Sequence, residues 1–257
     1  MRVTMLGCGG SGGVPLANGY WGRCDPANPK NRRRRPSILV EHGDTTLLVD
    51  TGPDLRLQLL DAGCRRLDAV LYTHAHADHL HGIDDIRALA GGPDRRAVEA
   101  FGAPETMDEI LSRFAYAFRR TGPSGSLYPP LMQARSVEGP FRVGRMEIVP
   151  FRQDHGTCTS TGYRFGRFAY STDVVRLDEE AFAILSGVEV WIVGCLRVAP
   201  HPTHAHLARV LDWVDRLRPR RTIFTHMNQT LDYDELAAQL PAGVEPGHDG
   251  LVIELDA

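Results

Sequence analysis

One short segment of this 257-residue chain concentrates side chains that commonly bind metal ions. It directly follows an apolar run, residues 67–72, whose β-branched and aromatic members favour a buried strand. The segment therefore lies where a strand ends, and there the backbone can aim alternate side chains at one point. Histidine nitrogen and carboxylate oxygen suit zinc, manganese or ferrous iron. The four candidate ligands are His74, His76, Asp78 and His79.

The spacing of these residues favours two ions over one. His74 and His76 are two residues apart and suit one ion, whereas Asp78 and His79 can reach a second ion a few ångströms away. Histidines in a polar surface loop are usually only solvated, so a pair alone would say little. Three histidines and an aspartate in six residues after a buried strand instead indicate a metal site.

Four more polar residues each follow an apolar stretch that is typical of a strand. Singly, each would be interpreted as a turn residue. The carboxyl ends of strands are the usual edge for a site in a layered α/β fold, so the set predicts side chains that converge on the metal segment. These residues are Asp50, His155, Asp173 and His226.

The elements that must position these side chains alternate between strands and helices along the chain. This alternation predicts layered α/β packing, and we expect one domain over residues 1–257. Helical spacing of apolar residues predicts a long helix over residues 104–120, and Gly, Ser and Pro predict a loop over residues 121–130. A second amphipathic helix is predicted over residues 204–217.

Composition excludes several classes of protein. The net charge of -3 gives no global attraction to nucleic acid or to an anionic membrane, so neither is an expected partner. No apolar run approaches the length of a bilayer-spanning helix, and the first residues read as a strand, not as a signal peptide. The five cysteines are scattered without a CxxC pair, which is typical of reduced thiols and predicts a cytoplasmic protein.

Two further segments could contact a phosphate. Residues 7–13 contain five glycines, and their amides could cradle an anion at Ser11 and Gly12, although a tight turn with positive φ is the favoured interpretation. The segment is not a Walker loop, because the required Lys-Ser/Thr pair is missing. Residues 32–35 are four consecutive arginines, which are either a solvated face or, at Arg34 and Arg35, guanidinium groups that recognise a phosphorylated substrate.

The order of these residues along the chain resembles that of the metallo-β-lactamase fold superfamily. The resemblance covers essentially the whole chain and implies a four-layer αββα sandwich with two divalent metal ions between the sheets. Zinc or manganese is expected, with iron as an alternative. By this resemblance, His74, His76 and His155 hold one ion, Asp78, His79 and His226 hold the other, Asp173 bridges both, and Asp50 supports the metal loop from behind.

Within the superfamily the chain is similar to the phosphodiesterase branch, which includes tRNase Z and phosphoribosyl cyclic phosphate phosphodiesterase. The glycine loop, the basic loop that ends Arg34-Arg35-Pro36-Ser37 and the segment His204-Ala205-His206-Leu207 match the latter. The match implies His204 as general acid, with His206 as the rival, a homodimer, and a small phosphorylated substrate. It departs at the cysteine cluster that holds a structural zinc there. Only Cys24 lies in that stretch here, so we expect no structural zinc.

The expected activity is hydrolysis of a small cyclic phosphate or nucleotide-like phosphodiester. Two ions held by Asp78, Asp173 and the histidines would share a water, lower its pKa and let the resulting bridging hydroxide attack phosphorus. His204 or His206 would donate a proton to the leaving oxygen, a contribution of about 10²–10⁴ in rate. The alternatives are a thioesterase or lactonase of the glyoxalase II type, RNA processing of the tRNase Z type, and a non-catalytic metal-binding module.

Overall fold

Two mixed β-sheets form the centre of the molecule. The computed structural model describes residues 1–90, 97–119 and 130–255, and within these ranges each sheet has seven strands. The first sheet contains β1 (Arg2–Gly7), β2 (Ser37–His42), β3 (Thr45–Val49), β4 (Ala69–Leu71), β5 (Val98–Gly102) and β6 (Met132–Ser136). The second contains β7 (Phe141–Val143), β8 (Met146–Asp154), β9 (Thr159–Phe165), β10 (Phe168–Ser171), β11 (Val190–Gly194), β12 (Arg221–Thr225) and β13 (Val244–Pro246). The last strand, β14 (Val252–Glu254), returns to the first sheet.

The strand order brings the predicted site residues to one edge of the sandwich. The sheets have the orders β14-β1-β2-β3-β4-β5-β6 and β13-β12-β11-β10-β9-β8-β7. Strands β3 to β6 are mutually parallel, as are β10 to β13, so their carboxyl ends point the same way within each sheet. The residues that follow β3, β4, β8, β10 and β12 are those that the sequence marks as candidate ligands or supports.

Helices cover both outer faces and complete the four-layer αββα sandwich predicted from the sequence. Alternation along β3 shows why the layers form: Leu47 and Val49 pack in the core between the sheets, whereas Leu48 packs in the outer core with Leu55 and Leu59. The helices are α1 (Leu55–Asp61), α2 (Ala77–Leu80), α3 (Pro104–Arg113), α4 (Ala115–Phe118), α5 (Glu179–Leu185), α6 (Leu207–Leu217) and α7 (Tyr233–Ala237). Short 3₁₀ helices span Pro29–Asn31 and Ile83–Ala88.

The helix predicted over residues 104–120 is wrong as a single element. It is interrupted at Phe114, whose φ of -123° and ψ of 36° leave the helical region and separate α3 from α4. The Phe114 ring packs edge-on to His81, with ring centroids 5.7 Å apart. This tertiary contact overrides the local helical pattern. Residue 120 and residues 121–129 of the predicted loop lie outside the described residues.

The late helix also begins later than predicted, at Leu207 instead of residue 204. Ala205 is held in an extended connection, because its N–H donates to Val174 O at 2.6 Å and its carbonyl accepts from Leu196 N at 3.0 Å. His206 is the residue that precedes the helix, with φ of -107° and ψ of 166°. His204 therefore lies on a loop before the helix, away from its first turn. Among the described residues, no helix is long and apolar enough to cross a membrane.

Candidate metal centre and active site

Seven predicted ligand residues come together at the carboxyl edge of the two sheets. They form two groups that share Asp173, and the ligand atoms of each group lie within 4.8 Å of one another. All but His76 are buried. The first group is His74, His76, His155 and Asp173, and the second is Asp78, His79, Asp173 and His226.

Three residues at strand ends adopt a backbone conformation that is rare outside glycine. Asp50, Asp173 and His226 have φ values of 64°, 51° and 55°. Such a left-handed conformation costs a non-glycine residue about 1–3 kcal/mol and persists only where its surroundings hold it. Here it turns the chain sharply after β3, β10 and β12, so that each side chain points into the space between the sheets.

Hydrogen bonds at Nδ1 orient three of the histidines. Nδ1 of His74 lies 3.0 Å from Thr73 Oγ1, Nδ1 of His79 lies 2.7 Å from Asp50 Oδ2, and Nδ1 of His155 lies 2.7 Å from Thr203 O. Such partners fix the ring and the tautomer of a metal-binding histidine, because the proton stays on the bonded nitrogen and leaves Nε2 free to coordinate.

With Nδ1 hydrogen-bonded, the Nε2 atoms of these histidines are left to coordinate, and their surroundings fit a pair of divalent ions. Nε2 of His74 and Nε2 of His79 are buried and have no hydrogen-bond partner. Both face Asp173, at 3.8 Å from Oδ1 and 3.0 Å from Oδ2 respectively. Buried nitrogen acceptors are normally paired, so two that face one carboxylate are the expected signature of a metal-ligand set.

His76 and His226 complete the two groups from opposite sides. His76 turns Nδ1 inward, 3.4 Å from Nε2 of His155. His226 points Nε2 at Asp78 Oδ2 and Asp173 Oδ2, both at 3.4 Å. Imidazole and carboxylate are the donors in both groups, which suits zinc, manganese or iron.

Asp50 lies behind the ligands, as the resemblance implies. Its buried carboxylate accepts hydrogen bonds from Thr73 N at 2.8 Å and from Thr73 Oγ1 at 2.7 Å, and it faces Nδ1 of His79. Burial raises the pKa of Asp50 above its ordinary value, although His79 and Thr73 act in the opposite direction. One side chain thus fixes both the start of the metal loop and the last histidine of that loop.

The histidines of the two groups differ in electrostatic environment. Burial, together with the neighbouring His79, holds the pKa of His74 well below its ordinary value. Burial alone would also lower the pKa of His79, but the carboxylates of Asp173, Asp78 and Asp50 outweigh it and raise that pKa well above its usual range. The second group therefore has the stronger negative field, and a divalent cation would replace the proton there.

Of the two candidate general acids, the structure brings His204 to the cluster. Its ring stacks on His226 with centroids 4.7 Å apart and meets His155 edge-on at 4.8 Å, and its Nδ1 lies 3.6 Å from Asp173 Oδ1. Burial and the facing His226 lower the pKa of His204 to about 3. Within the described residues, no hydrogen bond, ion pair or ring contact joins His206 to the cluster.

The four arginine side chains do not converge on the cluster, and two of them, Arg32 and Arg34, line one surface pocket outside it. Arg32 stacks over the Trp21 ring at 5.2 Å, and Arg33 is buried. Arg34 pairs with Asp61 at 2.7 Å, in a surface pocket that contains none of the candidate ligands. The guanidinium of Arg35 lies next to Gly13 of the glycine loop.

Arg35 is anchored between the glycine loop and the metal loop. Its Nε lies 3.1 Å from Asp54 Oδ2, and its Nη1 lies 3.4 Å from the position that a Cβ on Gly13 would occupy. Its own Cβ lies 3.4 Å from the Cβ position of Gly52, whose backbone abuts the carbonyl of Asp78. Of the two predicted substrate-binding arginines, Arg35 is therefore the one whose surroundings link it to the cluster.

The glycine loop is a tight turn that also runs beside the cluster. Gly13 has a φ of 67°, which favours glycine, and Ser11 and Gly12 are exposed at the tip. Gly10 donates to Met227 O at 3.0 Å, which places its Cβ position 3.6 Å from Nδ1 of His226. The favoured turn and the alternative phosphate cradle are thus compatible, because the buried Gly10, which directly precedes the exposed tip, lies next to a candidate ligand.

The segment around Cys24 is held together by a buried arginine. Arg33, 2% exposed, donates to Leu231 O at 2.7 Å, Asn228 O at 3.1 Å and Asn31 Oδ1 at 3.2 Å. Cys24 Sγ donates to Leu231 O at 3.3 Å. Of the groups in the described ranges that could hold a metal ion, none includes Cys24.

Three positioning residues were missed by sequence reasoning. Thr73 and Thr203 hold His74 and His155 through the contacts given above, and Arg113 donates to Ala75 O in the metal loop at 2.7 Å. Thr73 directly precedes the metal motif, which is a usable signal. No local sequence pattern identifies Thr203 or Arg113. Thr203 acts through its own backbone carbonyl, and Arg113 acts on the carbonyl of Ala75, which is distant in sequence.

Comparison with known proteins identifies the family. Residues 45–227 match the model of the beta-lactamase superfamily domain. The chain therefore belongs to the metallo-β-lactamase superfamily, as its motifs predicted, and it is a hydrolase of that fold. Membership implies divalent metal ions, and the two His and Asp groups fit them.

Individual relatives place the chain near the phosphodiesterase branch. A new diphosphatase from the PhnP family has a crystal structure with a TM-score of 0.89 and 32% identity, covering 99% of this chain and 98% of that one. An octanoyltransferase of Porphyromonas gingivalis is 30% identical over 261 residues, which is 100% of this chain but 52% of that protein. A ribonuclease Z of Bradyrhizobium sp. (strain ORS 278) is 37% identical over 90 residues, 34% of this chain and 30% of that protein. The chain thus spans about half or less of these two curated relatives.

Proposed function

We propose that the protein is a two-metal phosphodiesterase that hydrolyses a small cyclic phosphate or a nucleotide-like phosphodiester. The observation that carries the proposal is the pair of ligand groups joined through Asp173, in which the second group consists only of carboxylate and imidazole. The names diphosphatase and ribonuclease Z, carried by two relatives, both denote cleavage of phosphate linkages.

The chain's own residues supply the metal-binding and proton-transfer roles. His74, His76 and His155 would hold one ion, and Asp78, His79 and His226 the other, with Asp173 between them. Zinc or manganese, with iron as an alternative, would lower the pKa of a shared water and neutralise charge on the phosphoryl oxygens when bound.

His204 is the proposed general acid. Its position against His155 and His226 keeps it within reach of a leaving oxygen on a substrate that sits over the cluster. A bound phosphate anion would oppose the effect of His226 and raise the pKa of His204. Protonation of the leaving oxygen contributes about 10²–10⁴ in rate.

Arg35 and the glycine loop are the proposed contacts for the rest of the substrate. A guanidinium that is fixed on Asp54 and adjoins Gly13 can bind a second phosphate or a nucleotide tail, together with the exposed amides of Ser11 and Gly12. The homodimer expected from the resemblance stays a prediction, and light scattering of the purified protein would test it.

The deciding experiment combines metal analysis with a substrate panel. Protein stripped of metal and reloaded with zinc or manganese should hold about two ions per chain, one for each group. It should turn over chromogenic phosphodiesters, cyclic nucleotides or diphosphate esters at least tenfold faster than thioesters or lactones. Faster turnover of the thioester would support the glyoxalase II type of activity instead, and no turnover with two ions bound would support a non-catalytic module.

A further inference from the structure

The connection between β13 and β14 carries a carboxyl group that the proposed mechanism does not use. This connection passes from the second sheet to the first, and its path is fixed by close packing. A Cβ on Gly247 would lie 2.5 Å from both Phe224 O and Met5 Sδ, and Gly250 N donates to Met5 O at 2.8 Å. Asp249 is therefore anchored by both sheets, and its side chain reaches two loops that are distant in sequence.

The two oxygens of the Asp249 carboxylate accept hydrogen bonds from different loops. Oδ1 accepts from Cys8 N at 3.1 Å, at the start of the glycine loop. Oδ2 accepts from Arg34 N at 2.8 Å, in the arginine segment. The two loops also meet directly, because Gly9 N donates to Arg34 O at 2.8 Å. One carboxylate thus closes a small hydrogen-bonded ring between the loops.

The same ring extends to the candidate metal centre. Met227 N donates to Cys8 O at 2.9 Å, and Gly10 N donates to Met227 O at 3.0 Å. Met227 directly follows His226, a candidate ligand. The carboxylate of Asp249 and the backbone hydrogen bonds of the glycine loop thus form a continuous connection to the residue that follows His226.

We propose that Asp249 is a positioning residue that holds the glycine loop and the arginine segment as one substrate-binding frame against the metal centre. The inference rests on the proposed function in one respect, namely that this frame binds the substrate. The ionised carboxylate suits the role because it is an acceptor at both oxygens. An amide has one acceptor oxygen and a donor NH₂, so it cannot serve Cys8 N and Arg34 N at once.

The Asp249→Asn variant tests this role without removing a group that touches the substrate. With two ions bound, amide hydrogen exchange should become faster in residues 8–13 and 33–35 and stay unchanged around Asp173. The matched control is Asp61→Asn, which removes the negative charge beside the Arg34 guanidinium but leaves the Arg34 backbone in place. This control should leave exchange in the glycine loop unchanged.

Kinetics then separate substrate positioning from a purely structural role. The two probes are thymidine 5′-p-nitrophenyl phosphate, which carries a nucleotide tail, and bis(p-nitrophenyl) phosphate, which lacks one. For Asp249→Asn, KM for the tailed substrate should rise about tenfold, the usual effect of one lost hydrogen bond to a charged acceptor. Its kcat, its metal content and its KM for the untailed diester should match those of the wild type.

The outcomes test the role of Asp249 and the proposed phosphodiesterase activity separately. Unchanged exchange in both loops would overturn the proposal, and so would an equal rise in KM for both probes. Faster exchange throughout the chain, with loss of metal, would show that Asp249 stabilises the fold as a whole and would also overturn it. Absence of wild-type turnover with either probe refutes the proposed phosphodiesterase, while the exchange data still decide whether Asp249 holds the frame.

Discussion

Replacing Asp50 by asparagine tests whether the carboxylate behind the metal loop sets the tautomer of a ligand. The substitution preserves the shape of the side chain, and asparagine tolerates the left-handed backbone that φ of 64° imposes there. The substitution changes the number of hydrogen-bond acceptors, because the two oxygens of the carboxylate face three donors, Thr73 N, Thr73 Oγ1 and His79 Nδ1. The asparagine amide has only one oxygen to replace two.

The geometry gives the direction and size of the expected effect. If the asparagine oxygen keeps Thr73 N, the NH₂ group faces His79 Nδ1, and that nitrogen must become the acceptor. The proton then moves to Nε2, the atom that faces Asp78 and Asp173 at 3.4 Å and 3.0 Å. Changes to such orienting partners weaken metal binding about 10–100-fold, or about 1.4–2.7 kcal/mol.

Competition with a calibrated chelator measures the effect on each ion. In Asp50→Asn, the ion held by the group of His79 should bind about 10–100-fold more weakly. The ion held by the group of His74 should weaken by less, because the amide reaches His74 only through Thr73 Oγ1, and the thermal midpoint of the metal-free protein should change little. A matched control is Asp178→Asn, which alters a carboxylate that caps α5 away from the site. Wild-type affinity at both ions would refute the tautomer argument, and equal weakening of both would show that Asp50 shapes the whole loop.

Three further predictions follow from the site. Asp173→Asn should lose most activity and bind both ions more weakly while the fold survives, since one neutral amide cannot replace a carboxylate shared by two groups. Near-normal metal content in elemental analysis, together with near-normal turnover, would contradict this prediction. His204→Ala should slow the hydrolysis of diesters with alkoxide-like leaving groups about 10²–10⁴-fold and spare nitrophenyl esters, because nitrophenolate departs without a proton. His206→Ala should spare both ester types. Equal slowing of both ester types by His204→Ala would mean that His204 only positions the substrate. Arg35→Ala should raise KM for a substrate with a second phosphate, whereas Arg34→Ala, whose side chain pairs with Asp61 outside the site, should not. Equal KM changes in steady-state kinetics of the two variants would contradict the proposed role of Arg35.

The layered fold and the converging side chains were accessible from sequence because both depend on local patterns. Strand periodicity locates the end of β3, β4, β10 and β12, and the parallel order of these strands then brings their ends to one edge. The sequence could not show the left-handed turns at Asp50, Asp173 and His226, because aspartate and histidine adopt them only when the surroundings hold them. The predicted ligands could therefore be named, whereas the way in which the backbone aims them could not.

Elements that depend on distant contacts were predicted poorly. Strands β5, β6, β7 and β13 were not identified, and β13 ends in a proline at the sheet edge. The helix break at Phe114 requires His81, and the late start of α6 requires the bond from Ala205 to Val174. The second error matters for mechanism. His204 lies before the first turn of α6, and burial and His226 are what lower its pKa.

The run of four arginines shows that charges adjacent in sequence can suggest a stronger positive potential at the site than the folded chain provides. Adjacent side chains of an extended segment point to different sides, so their charges do not add at one point. Arg33 is committed to the carbonyls of Asn228 and Leu231, and Arg34 is neutralised by Asp61 outside the site. Arg35 is the arginine that we propose for the substrate, and it is itself paired with Asp54. A single partly compensated guanidinium suits one extra phosphate on a small molecule better than a polyanionic strand, whose binding needs many phosphate contacts.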